Sequence, residues 1–275
     1  MYLCFKEKQM LAELKKPQEA DLTTYIESLN YAQIIQRGLL PKKRHFKRLF
    51  EDYFVIYKPL NILSGDFYWI GKKDHLTYVA VGDCTGHGVP GALLSVLASS
   101  ILEYSIMNKG LNKTNKILQE VDKKFIESFS GAKEEFFNND WVDIALVCID
   151  NKENKIYFSS ANRKICIVNS KAEYQVLAGS PYPIGGWQVE EHRKFESRSY
   201  AFQKGDCLYI GTDGFQDQIG GPKNKKYSSK RLHELFGQLS KKEMNDQANL
   251  LENEFMDWKG TNDQIDDVCV LGIRL

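Results

Sequence analysis

Leu76-Thr77-Tyr78-Val79-Ala80-Val81 runs directly into Gly82-Asp83-Cys84-Thr85-Gly86-His87-Gly88-Val89-Pro90-Gly91. An apolar, β-favouring run, then a carboxylate among glycines, then a proline ahead of further apolar residues: strand, tight loop and helix in succession. The strand is apolar at successive rather than alternate positions, so the sheet it joins is expected to be covered on both faces. The cover follows at once, because Leu93, Leu94, Leu97, Ile101, Leu102 and Tyr104 give the segment 90–107 the apolar face of a helix.

Similar runs recur at 53–57, 144–149, 155–158, 165–168, 207–210 and 268–273. Amphipathic helices are expected at 114–129, 229–239 and 242–258, so helices come in adjacent pairs between blocks of strands. That order predicts an α+β fold of stacked sheets with segregated helices rather than strict strand–helix alternation. The longest irregular stretch is 179–196, with Pro181, Pro183 and Gly185-Gly186.

Upstream, residues 1–20 are rich in Lys and Glu, contain Pro17 and show no regular apolar face, as in a frayed helix or linker. From Asp21, available as an N-cap, Leu22, Tyr25, Leu29, Ala32, Gln36 and Leu39 fall on a 3-4 spacing that Pro41 stops. This narrow stripe serves either to pack on the chain's own domain or to pair with a second copy or an upstream sensor. The chain thus divides into a linker or signalling helix at 1–40 and a larger domain at 41–275.

The 275 residues are 43% hydrophobic, which excludes a wholly disordered chain, and Lys+Arg 37 against Asp+Glu 36 leaves a net charge of +1, no field for nucleic acid. The four cations at 42–45 fit a solvated turn. No run of about 18 consecutive apolar residues marks a membrane span, and charges follow the first five residues, so a cytoplasmic protein is expected. Cys4, Cys84, Cys148, Cys166, Cys207 and Cys269 form no Cys-x-x-Cys pair and fit buried, reduced thiols.

The chemistry lies in aspartates at the ends of apolar strands. Asp66 stands in Ser64-Gly65-Asp66-Phe67-Tyr68-Trp69, Asp83 closes the quoted strand, Asp213 follows Leu208-Tyr209-Ile210-Gly211-Thr212, and Asp266-Asp267 precedes the last strand. A single such aspartate is ordinarily a turn former. Several at strand ends form an oxygen-rich cluster suited to Mg²⁺ or Mn²⁺, and paired ions can clamp a phosphoryl group. The glycines from Gly82 to Gly91 let the backbone approach an ion, with a helix N-terminus directed at it. There is no Walker spacing, and no Gly-x-Gly-x-x-Gly follows the first strand, which disfavours a nucleotide.

Taken together, Lys58-Pro59-Leu60-Asn61-Ile62-Leu63-Ser64-Gly65-Asp66-Phe67-Tyr68-Trp69, Val81-Gly82-Asp83-Cys84-Thr85-Gly86-His87-Gly88-Val89-Pro90-Gly91-Ala92, Thr212-Asp213-Gly214-Phe215-Gln216-Asp217-Gln218 and Asp266-Asp267-Val268 resemble the SpoIIE-like bacterial branch of the PPM (PP2C-type) metal-dependent serine/threonine phosphatases. The resemblance covers about residues 45 to 275, and the segment 28–41 is similar to the helix that joins sensory modules to such domains. It implies a four-layer αββα sandwich with two Mn²⁺ or Mg²⁺ at one end. Asp83 would bridge both ions, Cys84 would offer its backbone carbonyl, and Asp66, Asp213 and Asp266 would complete the set. Phosphoserine or phosphothreonine would be attacked directly by metal-bridged hydroxide, with Asp83 and Asp66 central to catalysis.

The chain departs from the family's pattern in places. Eukaryotic-type members carry a histidine where Thr85 stands, which leaves His87 as a candidate general acid. Lys58 and Arg163 are candidate phosphate-binding residues, and Asp217 a candidate ligand for a third metal. The resemblance points to a small phosphoserine protein of the anti-sigma antagonist kind as substrate. The alternatives are a non-catalytic PPM-fold interaction domain that binds a phosphoprotein or effector, and a nucleotide-binding signalling module.

Overall fold

The computed structural model describes residues 19–129, 139–186 and 193–275. The expected frayed segment therefore lies outside the described residues, apart from its last two positions, as does Cys4. The described residues open with helix α1 (Glu19–Leu39) and a short α2 (Lys43–Lys47), then strands β1 (Tyr53–Lys58), β2 (Asp66–Lys73) and β3 (Leu76–Cys84). Helices α3 (Gly88–Glu103) and α4 (Thr114–Glu127) follow, then β4 (Trp141–Asp150), β5 (Lys155–Ala161), β6 (Lys164–Val168), β7 (Tyr174–Ala178), β8 (Ile184–Gly185), β9 (Arg198–Ala201) and β10 (Cys207–Gly211). A one-turn α5 (Gly214–Asp217), a small hairpin of β11 (Ile219–Gly220) and β12 (Lys225–Lys226), helices α6 (Ser229–Leu239) and α7 (Met244–Lys259), and β13 (Val268–Arg274) complete it.

Apart from the β11–β12 hairpin, the described strands form two antiparallel sheets, one ordered β1-β13-β10-β6-β7 and the other β2-β3-β4-β5-β9 with β8 beside β4. Three apolar cores explain the continuous apolar runs. On β3, Tyr78 and Ala80 face Leu94, Ala98 and Leu102 of α3 and Ile117, Leu118 and Val121 of α4. Their neighbours Val79 and Val81 face the opposite way, against Ile165, Ile210, Leu271 and Ile273 of the other sheet. That sheet's outer face, with Cys166, Tyr209 and Val270, is covered by Leu232 and Phe236 of α6 and Leu251 and Phe255 of α7. The layers are therefore helices, sheet, sheet, helices, and each fully buried aliphatic side chain contributes about 1.5–3 kcal/mol.

The strands absent from the sequence expectation have physical reasons. β7 and β9 are partly exposed and carry polar residues, while β2 is interrupted by Gly71 and ends in Lys72-Lys73. Helix α3 begins at Gly88, two residues before Pro90, after a loop in which Gly86 (φ 78°) and Gly88 (φ 68°) take the left-handed conformation that glycine alone adopts without strain. Its Leu94, Ile101 and Leu102 are buried as expected, whereas Leu93 is 67% exposed. The 21-residue helical stretch Gly88–Asn108 is long and apolar enough to cross a membrane, yet half of it is buried as one layer of the sandwich.

Asp21 lies within α1 rather than at its cap. The stripe on this helix divides: Gln36 is buried and Leu29 and Ala32 are half-buried, while Leu22, Tyr25 and Leu39 are exposed. The five described cysteines are free and buried.

Candidate metal centre

Strand register assembles the site. Asp66 at the start of β2 pairs across from Asp83 near the end of β3, and Asp83 pairs across from Asp143 of β4. The three carboxylates form a row on the face turned toward the other sheet, two positions along from Tyr68, Val81 and Ala145. The other sheet contributes from adjacent strand ends: Asp213 follows β10 and Asp266-Asp267 precedes β13, where Gly211 lies opposite Val270.

Neighbouring groups fix each carboxylate. The Thr212 hydroxyl donates to Asp66 Oδ2 at 2.6 Å and accepts from the Cys269 N–H at 3.0 Å, which locks Asp66 to the other sheet. Asp267 accepts from the N–H groups of Leu60 and Gly65, both at 2.7 Å, and so pins the loop leading into Asp66. Gln36 of α1 reaches the same loop, donating to the Ser64 carbonyl at 2.6 Å and accepting from the Ser64 N–H at 3.2 Å. Where β3 gives way to α3, a Cβ on Gly65 would stand 2.7 Å from the Gly86 carbonyl oxygen and 3.0 Å from that of Cys84, so only glycine lets these backbones approach.

Arg163 enters this cluster from the β5–β6 turn. Its Nη2 is ion-paired with Asp83 Oδ2 and lies 3.2 Å from Asp213 Oδ2 and 3.7 Å from Asp143 Oδ2. The turn residue Asn162 (φ 55°) donates to the same Asp143 oxygen at 2.8 Å. Even so, Asp143 Oδ1 and Arg163 Nε are buried without a hydrogen-bond partner.

Burial dominates the electrostatics. It pushes the Asp83 carboxyl up to about 8, against the pull of the Arg163 guanidinium and with help from Asp213 and Asp266. Asp66 is raised well above the usual carboxylate range by burial and by Asp83, despite the Thr212 hydrogen bond. Asp143 rises to about 6 through burial, opposed by Arg163 and Asn162. Asp266 is raised by burial, against the hydrogen bond from the Asp267 N–H. Such a set holds protons tightly unless cations replace them.

Among the described residues, no three carboxylate, thiol or imidazole groups form a ready-made ion site, and the Arg163 guanidinium stands between the carboxylates. The donor set nonetheless fits a hard divalent cation. It is all oxygen, it is fixed by rigid strand ends, and it includes a buried Asp143 oxygen with no partner.

The structure thus brings Asp66, Asp83, Asp213, Asp266 and Arg163 together, with Cys84 buried beside Asp83. His87 is exposed at the start of α3, with Nδ1 3.0 Å from Asn61 Nδ2. Asp217 pairs with Lys226 at 2.8 Å, and Lys58 pairs with Glu252 of α7 at 3.4 Å. Asp143 escaped sequence reasoning because it lies just before the apolar run 144–149. A polar residue abutting that run was the available signal.

The sequence profile described as stage II sporulation protein E (SpoIIE) matches residues 73–275. Curated proteins give no match at the sequence level. The SiaA-PP2C domain of Pseudomonas aeruginosa is 28% identical, with a TM-score of 0.83 over 94% of this chain and 100% of that one. The RsbU and RsbW domains of a Mycobacterium tuberculosis protein superpose with a TM-score of 0.65 at 19% identity, over 81% of this chain and 59% of that one. RsbX in complex with magnesium gives 0.53 at 16% identity, over 81% of this chain and 94% of that one. The chain belongs to the stage II sporulation protein E family of PP2C-type serine/threonine phosphatases, a metal-dependent class.

Proposed function

We propose that this domain hydrolyses phosphoserine or phosphothreonine on a small regulatory protein of a bacterial partner-switching system, in the cytoplasm. The observation that carries the reading is the convergence of Asp66, Asp83, Asp143, Asp213 and Asp266 from both sheets at one end of the sandwich. Asp66, Asp83, Asp213 and Asp266, with the Cys84 carbonyl, are the groups that would hold two Mn²⁺ or Mg²⁺, and Asp143 joins them. Bound there, the ions would neutralise phosphoryl charge and lower the pKa of a bound water.

The chain's own residues do the rest. Thr212 and Asp267 hold Asp66 and its loop rigid, so no reorganisation is needed as charge develops. Arg163 is the cation available to grip the phosphate, since Lys58 is engaged by Glu252. His87 is the exposed candidate for protonating the leaving serine oxygen, and Asp217 the candidate for a third ion. The RsbU–RsbW relative, whose two domains share one chain, supports a protein substrate of the anti-sigma antagonist kind.

Hydrolysis of p-nitrophenyl phosphate and of a phosphoserine protein with added Mn²⁺ tests the proposal. Activity is expected to vanish with a chelator, and activity that survives the chelator overturns it. Control by the N-terminal segment is part of the same proposal, supported by the Gln36 contacts and by the exposed Leu22, Tyr25, Tyr31 and Ile34, a surface for a second copy or a sensor helix. Deleting residues 1–40 is expected to change the oligomeric state or the Mn²⁺-dependent rate. Identical light scattering and kinetics would refute that part.

A further inference from the structure

We propose that Arg163 is a tethered cation that competes with divalent metal ions for the carboxylate cluster, so that metal entry and guanidinium departure are one event. The proposal rests on the reading of the cluster as a metal centre. A guanidinium is a planar fork, and its favourable carboxylate contacts are parallel and bidentate. Arg163 makes no such contact here. A single nitrogen, Nη2, collects oxygens of Asp83, Asp143 and Asp213 from three separate segments of chain. Carboxylates converging on one point suit a small spherical ion better than a fork.

The arrangement also leaves groups unsatisfied. Arg163 is only 9% exposed, yet its Nε has no partner, and neither has Asp143 Oδ1. A buried polar atom without a partner is costly, so this pose is held by charge rather than by hydrogen-bond fit. The backbone is anchored: the Asn162 N–H donates to the Ser180 carbonyl at 2.8 Å and its side-chain amide donates to Asp143, so any exchange must be made by the Arg163 side chain. Beside the guanidinium opens a cleft of about 300 Å³, lined by Lys164, Gln216, Ser229 and His233, into which the side chain can turn. Displaced there, it stays next to the carboxylates, available to a phosphate.

Mn²⁺ titration calorimetry on the full chain, compared with Arg163→Gln and Arg163→Met, tests the proposal alongside thermal unfolding in chelator and in saturating Mn²⁺. Both variants are expected to bind Mn²⁺ about tenfold more tightly than wild type. They are also expected to melt lower than wild type in chelator, with the deficit vanishing in Mn²⁺, and a variant that folds only with Mn²⁺ supports the proposal. Equal or weaker Mn²⁺ affinity overturns it. So does a melting deficit that is the same in both conditions, or failure to fold even with Mn²⁺, since the guanidinium would then be purely structural. If wild type itself takes up no Mn²⁺, the metal-centre reading fails, an outcome distinct from failure of the competition alone.

Discussion

Two rows of residues on the same face of the same three strands have opposite characters. Ile70, Val79 and Val147 lie side by side across β2, β3 and β4, and the row continues to Phe158 of β5. Four residues along, about 13 Å away, lies the row Asp66, Asp83 and Asp143. The apolar row meets Ile210 and Leu271 of the facing sheet, and its burial stabilises the sandwich. Burial of the acidic row raises carboxyl pKa values, a cost that Thr212, Asn162 and Arg163 partly offset. Stability is made at the centre of the sandwich, while its end is preorganised for chemistry at the expense of stability.

The sharpest separation of the two rows is expected from Asp83→Asn. Phosphatase activity should fall on the order of 10³-fold, because a group central to the charged site is lost. The melting temperature in chelator should be no lower than that of wild type, because the cost of burying this carboxylate, added to its repulsion by Asp213 and Asp266, outweighs the lost pull of Arg163. A large drop in stability would mean that the acidic row also carries the fold, and the contrast would break. Leu271→Ala is the converse. A cavity between the sheets should cost about 2–5 kcal/mol in urea unfolding, with the kcat of the folded fraction unchanged.

The contrast also has a pH signature. In the folded chain, burial raises Asp83 to about 8 and Asp143 to about 6, both above the ordinary carboxylate value. The folded state therefore binds more protons than the unfolded state between roughly pH 4 and 8, and stability falls as pH rises through that window. Melting temperatures measured with chelator should decline from pH 5 to pH 8. Mn²⁺ should flatten or reverse the trend, since metal binding favours the deprotonated carboxylates. A metal-free protein that becomes more stable toward pH 8 would contradict the burial of this row.

How much of this was legible in the sequence follows from the same geometry. Strands covered on both faces read as continuous apolar runs, so the layers were legible while the face occupied by each residue was not. Asp66, Asp83, Asp213 and Asp266 stood out because each interrupts or bounds such a run beside glycine or a second acid. Asp143 is equally central, yet its place was set by β3–β4 register, which no local pattern encodes. Arg163 was legible only as a candidate phosphate-binding cation. Its ion pair with Asp83 spans 80 residues of sequence and appears only when β5 and β6 fold back beside β3. The stripe on α1 was legible as apolar, but its N-terminal part is exposed, and its C-terminal half meets the loop before β2 through the amides of Gln33 and Gln36.

That glutamine gives the finest test, because α1 belongs to neither row yet touches the approach to one. Gln36 donates to Ser64, and the Ser64 hydroxyl in turn accepts from the Asp66 N–H at 3.1 Å, so one side chain separates the linker helix from the first carboxylate. Gln36→Ala leaves the Ser64 N–H and carbonyl without that partner, at a cost of about 1–3 kcal/mol. If α1 acts on the acidic end, the loosened loop should lower Mn²⁺-dependent kcat/KM about fivefold or more, in the range of a typical coupling between sites. Gln36→Glu, which keeps the acceptor and loses the amide donor to the Ser64 carbonyl, should do the same. If both variants only lower the melting temperature and leave the Mn²⁺ dependence of the rate untouched, α1 is part of the scaffold. Control of the site must then enter by a route other than the Gln36 contact of α1.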